Sequence, residues 1–249
     1  MYEENAAFYS FFGAPITSLS PKTSFVLNYL KGDRNSRVLD VGSGPGDMAF
    51  ELAKAGAFVT CVEPSAAMRA VFLSRLIDHR DLDDRLTLLA GSAATFTLDA
   101  RYKVVCALSL LFLLKNRAEQ LEALRRLGKH VTEGGVLIAN LLMEDVNARE
   151  SPRELKGERT LGEVIYRHFS AKRFLDGRQT VEWTFETWHL GKLVETTTEL
   201  FPLLSNSYGD YLTLVNDAGL DISSEFSGFG GSAFEAGRSK SLVAVLTPS

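Results

Sequence analysis

The segment from Val38 to Asp47, VLDVGSGPGD, constrains the chain more than any other stretch. An apolar run of strand-forming residues ends in Gly42, Gly44 and Gly46, which can adopt backbone conformations closed to other residues. The residues after them have helical spacing. Strand, tight turn and helix in this order open a β-α-β unit, and FVTCV from Phe58 supplies the second strand. The alternation continues with a helix from Ser65 to His79, a strand RLTLL from Arg85 and a strand YKVVCALSL from Tyr102. A helix from Arg117 to His130 and a strand VLIANLL after Gly134 and Gly135 follow. Such a chain predicts an α/β fold, a doubly wound and mostly parallel sheet with right-handed crossovers and helices on both faces.

Upstream, Ser20 reads as an N-cap, Pro21 as the first helical residue, Phe25, Val26, Tyr29 and Leu30 as an apolar face, and Gly32 as the stop. The aromatics Tyr2, Phe8, Tyr9, Phe11 and Phe12 before it need something to cover, and residues 1–20 are expected to form an N-terminal helical lid. After Asp145 the period changes to two. EVIYRHF, QTVEWTFETWHL and LVETTTELFPL, with turn signals at Asp176-Gly177 and Gly191-Lys192, predict an antiparallel β insertion within 145–205 that forms part of a pocket. Strand alternation sets Val181, Trp183, Phe185, Thr187 and His189 on one face, and Val164, Tyr166 and His168 on one face of the preceding strand. A helix from Tyr208 to Ala218, stopped by Gly219, then DISSEFSG and SLVAVLT complete a seven-stranded sheet whose last strand runs antiparallel. The expected organisation is a single domain over 1–249.

Composition narrows the partners. A net charge of −4 with scattered basic residues offers no footprint for a polyanion, so nucleic acid is not expected. The two cysteines, Cys61 and Cys106, lie in apolar strands without metal-ligand spacing, which fits reduced core thiols and no metal. The longest apolar run, Val104 to Leu114, is too short to span a bilayer, and MYEEN lacks the features of a signal peptide. No membrane partner and a cytoplasmic location are expected, and homo-oligomerisation is left open.

A glycine loop at the end of the first strand commonly holds a dinucleotide. The dinucleotide fingerprint, however, places glycine at the sixth position of G-x-G-x-x-G, and here that position is Asp47. Carboxylates at Asp47 and Asp40 sit badly beside a pyrophosphate and well beside a cation. S-Adenosylmethionine carries a sulfonium and an ammonium group and no phosphate, and Glu63 at the end of the second strand can accept both ribose hydroxyls. D-x-G-x-G-x-G followed by this acid resembles the class I methyltransferase family. LLAGSAA, with Ser92 in place of the usual aspartate, resembles the family's third-strand motif. Tyr102, with Lys103 in place of an acid, resembles its fourth-strand motif, and the HVTEGGVLI stretch resembles its turn with paired glycines, Gly134 and Gly135, before the fifth strand. The resemblance implies the family's Rossmann-like fold. It also implies S-adenosylmethionine held by Asp40, Gly42, Gly44, Glu63, Pro64, Met68, Ser92, Ala93 and Leu108, with S-adenosylhomocysteine as product. Bland readings stand beside these: Glu63 as a solvated strand end, Met68 as helix core, Asp40 as a carboxylate that accepts loop amides.

The segment Ala107-Leu108-Ser109-Leu110 lacks the polar, proline-rich run that base-modifying relatives carry after the fourth strand, and the apolar exit with Phe112 suits a small organic acceptor. The aromatic N-terminus and the insertion resemble small-molecule methyltransferases such as the sugar-amine N-methyltransferases and glycine N-methyltransferase relatives. That likeness implies catalytic roles for Tyr9 (Tyr2 second) and His168, and acceptor contacts from Phe112, Tyr166 and Trp183. The competing reading makes these aromatics a small core between the sheet and the main domain, with His168 structural; His79 and His130 near helix ends are explained by the helix dipole. The expected reaction is methyl transfer to nitrogen or oxygen of a small molecule by proximity and orientation. The alternatives are an inactive cofactor-binding module or partner subunit, and an NAD-dependent oxidoreductase, which Asp47 disfavours.

Overall fold

The computed structural model describes residues 3, 5–13, 19–30 and 35–249. The chain divides into two compact units, Met1–Pro15 with Asp145–Leu203, and Ile16–Glu144 with Leu204–Ser249. The first helix, α1 (Ala6–Phe12), belongs to the smaller unit. The larger unit then runs through α2 (Pro21–Leu30), β1 (Arg37–Val41), α3 (Asp47–Lys54), β2 (Phe58–Glu63), α4 (Ala66–Ile77), β3 (Leu86–Ala90), β4 (Tyr102–Ala107), α5 (Arg117–Gly128) and β5 (Val131–Met143). Strands β6 (Ser151–Leu161), β7 (Val164–Leu175), β8 (Arg178–His189) and β9 (Lys192–Pro202) build the smaller unit. The larger one resumes with β10 (Ser205–Asn206), α6 (Tyr208–Asp217), β11 (Leu220–Phe226) and β12 (Ser241–Pro248).

In the larger unit the strand order is β11-β12-β5-β4-β1-β2-β3, with β12 antiparallel to both neighbours, as the sequence predicts; the two-residue β10 adds beside the end of β5. Period-two alternation splits the core between the faces. Val38, Val104, Cys106, Ile138 and Val243 pack with Phe25 and Val26 of α2 and Leu52 of α3. Leu39, Val105, Leu137 and Ala139 pack with Leu124 of α5 and Tyr211 and Leu214 of α6. Helix α2 starts where Ser20 Oγ accepts the Thr23 N–H at 3.2 Å. The buried Glu51 carboxylate of α3 accepts from Ser20 Oγ and from the Thr23 hydroxyl, so a negative charge sits at the positive end of α2.

Gly134 and Gly135 do not form a turn before the fifth strand. They lie inside β5, which begins at Val131, and the register against β4 slips between Tyr102 and Val104. Gly134 has φ +65°, and a Cβ on Gly135 would stand 2.8 Å from the Lys103 carbonyl oxygen. The pair accommodates a bulge, a local feature with the same glycine signature as a turn.

The smaller unit is a four-stranded antiparallel sheet in the order β6-β7-β8-β9. Its hairpins turn at Gly162, Asp176-Gly177 and Leu190-Gly191, and each of these residues has positive φ, as tight hairpins require. The sequence reading missed β6: SPRELKGERTL has no apolar face because it is an exposed edge strand guarded by charge and proline. The face expected to cover something is covered by α1. Phe8 stacks on Phe185 with centroids 5.1 Å apart, Phe11 meets Tyr166 edge-on at 5.2 Å, and Phe12 lies 5.6 Å from His168. Gly157, opposite His168 in register, leaves the space that Phe12 uses; a Cβ there would come within 2.8 Å of the Phe12 ring. The other face carries Arg153, Arg167 and Arg173, ion-paired to Glu186, Glu158 and Glu182.

Candidate active site

The glycine loop is held at both ends by backbone. The Gly42 N–H donates to the Val62 carbonyl at 2.8 Å and the Gly46 N–H to the Ser43 carbonyl at 3.1 Å. The glycines at 42, 44 and 46 all have positive φ (77°, 56° and 85°) but serve different ends. A Cβ on Gly46 would lie 2.4 Å from two ring carbons of Phe72, so this glycine exists for close packing. A Cβ on Gly44 would meet nothing within 4 Å, so this glycine faces open space on the side from which a ligand can approach the backbone.

Two carboxylates lie beneath the loop. Glu63 is only 5% exposed, so it is not a solvated strand end. Its Oε2 accepts the Gly44 N–H and its Oε1 the Ser65 N–H, both at 2.8 Å. The amide-accepting role considered for Asp40 therefore belongs to Glu63. Asp40, 4% exposed, stands in register between Cys61 and Cys106. Burial pushes its pKa up to about 7, against the attraction of the Lys22 ammonium and with the repulsion of Glu63 adding to the rise. Burial, reinforced by Asp40, pushes both flanking thiols up as well. Burial disfavours the charged form of the Asp40 carboxyl, and a cation beside it would favour that form.

Asp47 behaves differently from expectation. Its carboxylate accepts from Arg75 Nη1 at 2.6 Å, so a cation of the protein already pairs with it, and it attracts the Lys22 ammonium less strongly than Asp40 does.

The other residues assigned to the cofactor gather around the loop. Ser92, after β3, forms a turn with its hydroxyl 2.9 Å from that of Thr95, and Ala93 beside it is buried. Pro64 is exposed, and Ser65 caps α4 by accepting the Met68 N–H at 3.1 Å. Met68 is 2% exposed, Leu108 is buried after β4, and Phe112 is half-buried. All stand beyond the carboxyl ends of β1 to β4, where the sheet order reverses between β1 and β4; open α/β sheets bind ligands at such a point.

Three further residues complete this edge. Lys22 Nζ of α2 donates to Ser109 Oγ at 2.8 Å, and the Ser109 N–H donates to Asn140 Oδ1 of β5 at 2.5 Å. Ser109 has φ +60°, a conformation that costs a serine about 1 kcal/mol or more and that these two contacts hold. Burial lowers the Lys22 pKa while Asp40 and Asp47 oppose the change. Only the position of Ser109 just after β4 signalled a role.

Tyr9, Tyr166, His168 and Trp183 are brought together in the smaller unit. Tyr9 and Trp183 have centroids 5.9 Å apart, and His168 stacks on Phe185 at 4.6 Å and meets Trp183 edge-on at 5.4 Å. The Nε2 of His168 is buried without a hydrogen-bond partner, and burial followed by repulsion from Lys156 lowers its pKa, which keeps the imidazole neutral at pH 7. Tyr2 lies outside the described residues. His130 is structural, with its ring nitrogens 2.7 and 3.2 Å from the carbonyl oxygens of Arg126 and Leu98. No helix among the described residues is long and apolar enough to cross a membrane.

Residues 38–135 match the methyltransferase domain family. A curated relative, the cypemycin N-terminal methyltransferase of a Streptomyces species, is 30% identical over 99 residues, which are 39% of this chain and 38% of that protein. The structure of the CcbJ methyltransferase from Streptomyces caelestis superposes with a TM-score of 0.72 at 22% identity, covering 99% of this chain and 97% of that one. The S-adenosylmethionine-bound structure of CalS10, an amino pentose methyltransferase from Micromonospora echinaspora, does so at 0.69 and 18% identity, covering 96% and 94%.

Proposed function

We propose that this chain, whose residues 38–135 match the methyltransferase domain family, is a class I S-adenosylmethionine-dependent methyltransferase that moves a methyl group from that cofactor to a nitrogen of a small molecule. The observation that supports it best is Asp40, 4% exposed and with its charged form disfavoured by burial, beside a glycine loop that is open at Gly44. Asp40 and Glu63 suit the cofactor's positive groups and ribose hydroxyls, and Lys22, whose ammonium keeps donors beyond the one given to Ser109, suits its carboxylate. Gly42, Gly44, Pro64, Met68, Ser92, Ala93 and Leu108 supply the remaining wall. The bound cofactor supplies an activated methyl on a sulfonium.

What is left to the protein is to orient the acceptor, exclude water and take a proton. We assign the proton to His168, neutral and with Nε2 unpartnered, and orientation to Tyr9, Tyr166, Trp183 and Phe112. Nitrogen is favoured over oxygen because the cypemycin relative is an N-terminal methyltransferase and CalS10 acts on an amino pentose.

A screen of amino sugars, peptide α-amines and phenols for release of S-adenosylhomocysteine is expected to find turnover among the amines. His168→Phe, which keeps the ring stack, should lower kcat with that amine by about 10²-fold and leave the KM for the cofactor unchanged. Turnover confined to phenols would remove the nitrogen assignment. Stabilisation by S-adenosylhomocysteine in thermal melting with no turnover of any acceptor would instead favour a non-catalytic binding module.

A further inference from the structure

Helix α4 reaches the glycine loop with two side chains one turn apart, Phe72 and Arg75. The Phe72 ring fills the space under Gly46. Arg75 Nη1 donates to the Pro45 carbonyl at 2.8 Å and to the Asp47 carboxylate at 2.6 Å, so a single guanidinium nitrogen grips the residues on either side of that glycine. The guanidinium also lies 4.8 Å over the ring of Phe50, which packs on Phe72 with centroids 4.9 Å apart. Three consecutive residues, Pro45 and Gly46 of the loop and Asp47 at the start of α3, are thus tied to one helix through a connected set of contacts. Asp47, with its side chain 57% exposed, is the outer end of that set.

We infer that Phe72 and Arg75 are positioning residues that set the shape of the cofactor loop, and that Asp47 works for them as an anchor, not as an attractor of the cofactor's positive charge. The inference rests on assigning the loop to S-adenosylmethionine. An ion pair this exposed contributes little by Coulomb attraction alone, because water screens it. Its effect comes from geometry: releasing Arg75 frees the Pro45 carbonyl and the start of α3 together. Arg75 touches neither the open side of Gly44 nor the buried carboxylates, so it acts on the ligand only through the backbone.

The cofactor and its product offer a clean discriminator, since S-adenosylmethionine carries a sulfonium and S-adenosylhomocysteine a neutral sulfur. A residue acting by charge changes their affinities unequally, whereas one acting by loop shape weakens both alike. Dissociation constants of both ligands are to be measured by calorimetry for the wild type, Asp47→Asn, Arg75→Ala, Arg75→Lys and the Asp47→Asn/Arg75→Ala double variant, with Asp40→Asn as the charge control.

Asp47→Asn and Arg75→Ala are each expected to weaken both ligands by about five- to tenfold with their ratio unchanged, and the double variant should be no weaker than the worse single one. Arg75→Lys should recover part of the loss, and Asp40→Asn should shift the ratio against S-adenosylmethionine. Should Arg75→Ala not fold, Asp47→Asn and Arg75→Lys decide alone. A loss in Asp47→Asn at least threefold greater for S-adenosylmethionine than for its product would overturn the inference, as would unchanged affinities in every Asp47 and Arg75 variant. A wild type that binds neither ligand would instead overturn the cofactor assignment.

Discussion

Gly46→Ala is expected to destabilise the larger unit by about 3 kcal/mol and to abolish measurable binding of S-adenosylhomocysteine, whereas Gly44→Ala should cost only about 1 kcal/mol and still lose the ligand. Both positions have positive φ, which penalises any β-carbon by about 1–2 kcal/mol. They differ in what the β-carbon meets. At Gly46 it falls 2.4 Å from the ring of Phe72, a fully buried side chain wedged against Phe50, so relief requires repacking at a further cost of about 1–3 kcal/mol. At Gly44 nothing lies within 4 Å; the methyl enters the space from which a ligand approaches the loop, and fold and binding separate. Denaturant midpoints and calorimetric titration with S-adenosylhomocysteine, run on both variants, check the contrast. Equal destabilisation in the two variants, or retained binding in Gly44→Ala, would sink this division of labour between the glycines.

The elements legible in the sequence are those fixed by local rules. Ser65 before an apolar helix and Gly219 after one are short-range signals, and both boundaries fall where the structure has them. The parallel strands β1, β2 and β4 are buried on both faces, so their near-continuous apolar runs stand out. Edge strand β6 buries almost nothing and left no pattern to read. Gly134-Gly135 misled because a bulge and a turn ask the same freedom of the backbone. In the site, residues on the loop itself were legible, since glycine spacing is local. The contacts that give those residues meaning were not: Arg75 lies 28 positions from Asp47, Lys22 lies 87 from Ser109, and Ser109 lies 31 from Asn140. Charge counting along the chain made Asp47 an attractor of cations; only the fold reveals that a cation of the protein already holds it.

Asp40→Asn is expected to stabilise the ligand-free protein at alkaline pH while it weakens S-adenosylmethionine, a combination that marks a residue kept for binding. The sign follows from linkage. In the unfolded chain this carboxyl titrates near 3.8, and in the fold burial raises it to about 7. Between those values the folded state holds the extra proton, so stability falls as pH rises from about 4 through about 7, and above that the full penalty is present. Three pH units at about 1.4 kcal/mol each place the penalty on the order of 4 kcal/mol, which the Lys22 ammonium already moderates. The wild type should therefore lose Tm relative to Asp40→Asn between pH 5 and 8.5. Binding reverses the preference: a positive ligand beside Asp40 favours the carboxylate, so wild-type affinity for S-adenosylmethionine should climb with pH up to about 7 and level off above it, with a proton released on binding below that point. Asp40→Asn should show neither the climb nor the release. Calorimetry in two buffers of different ionisation enthalpy counts the proton. Parallel pH profiles for wild type and variant would return Asp40 to the role of a buried strand residue, and the cation preference of the loop would then have to rest on Glu63 alone.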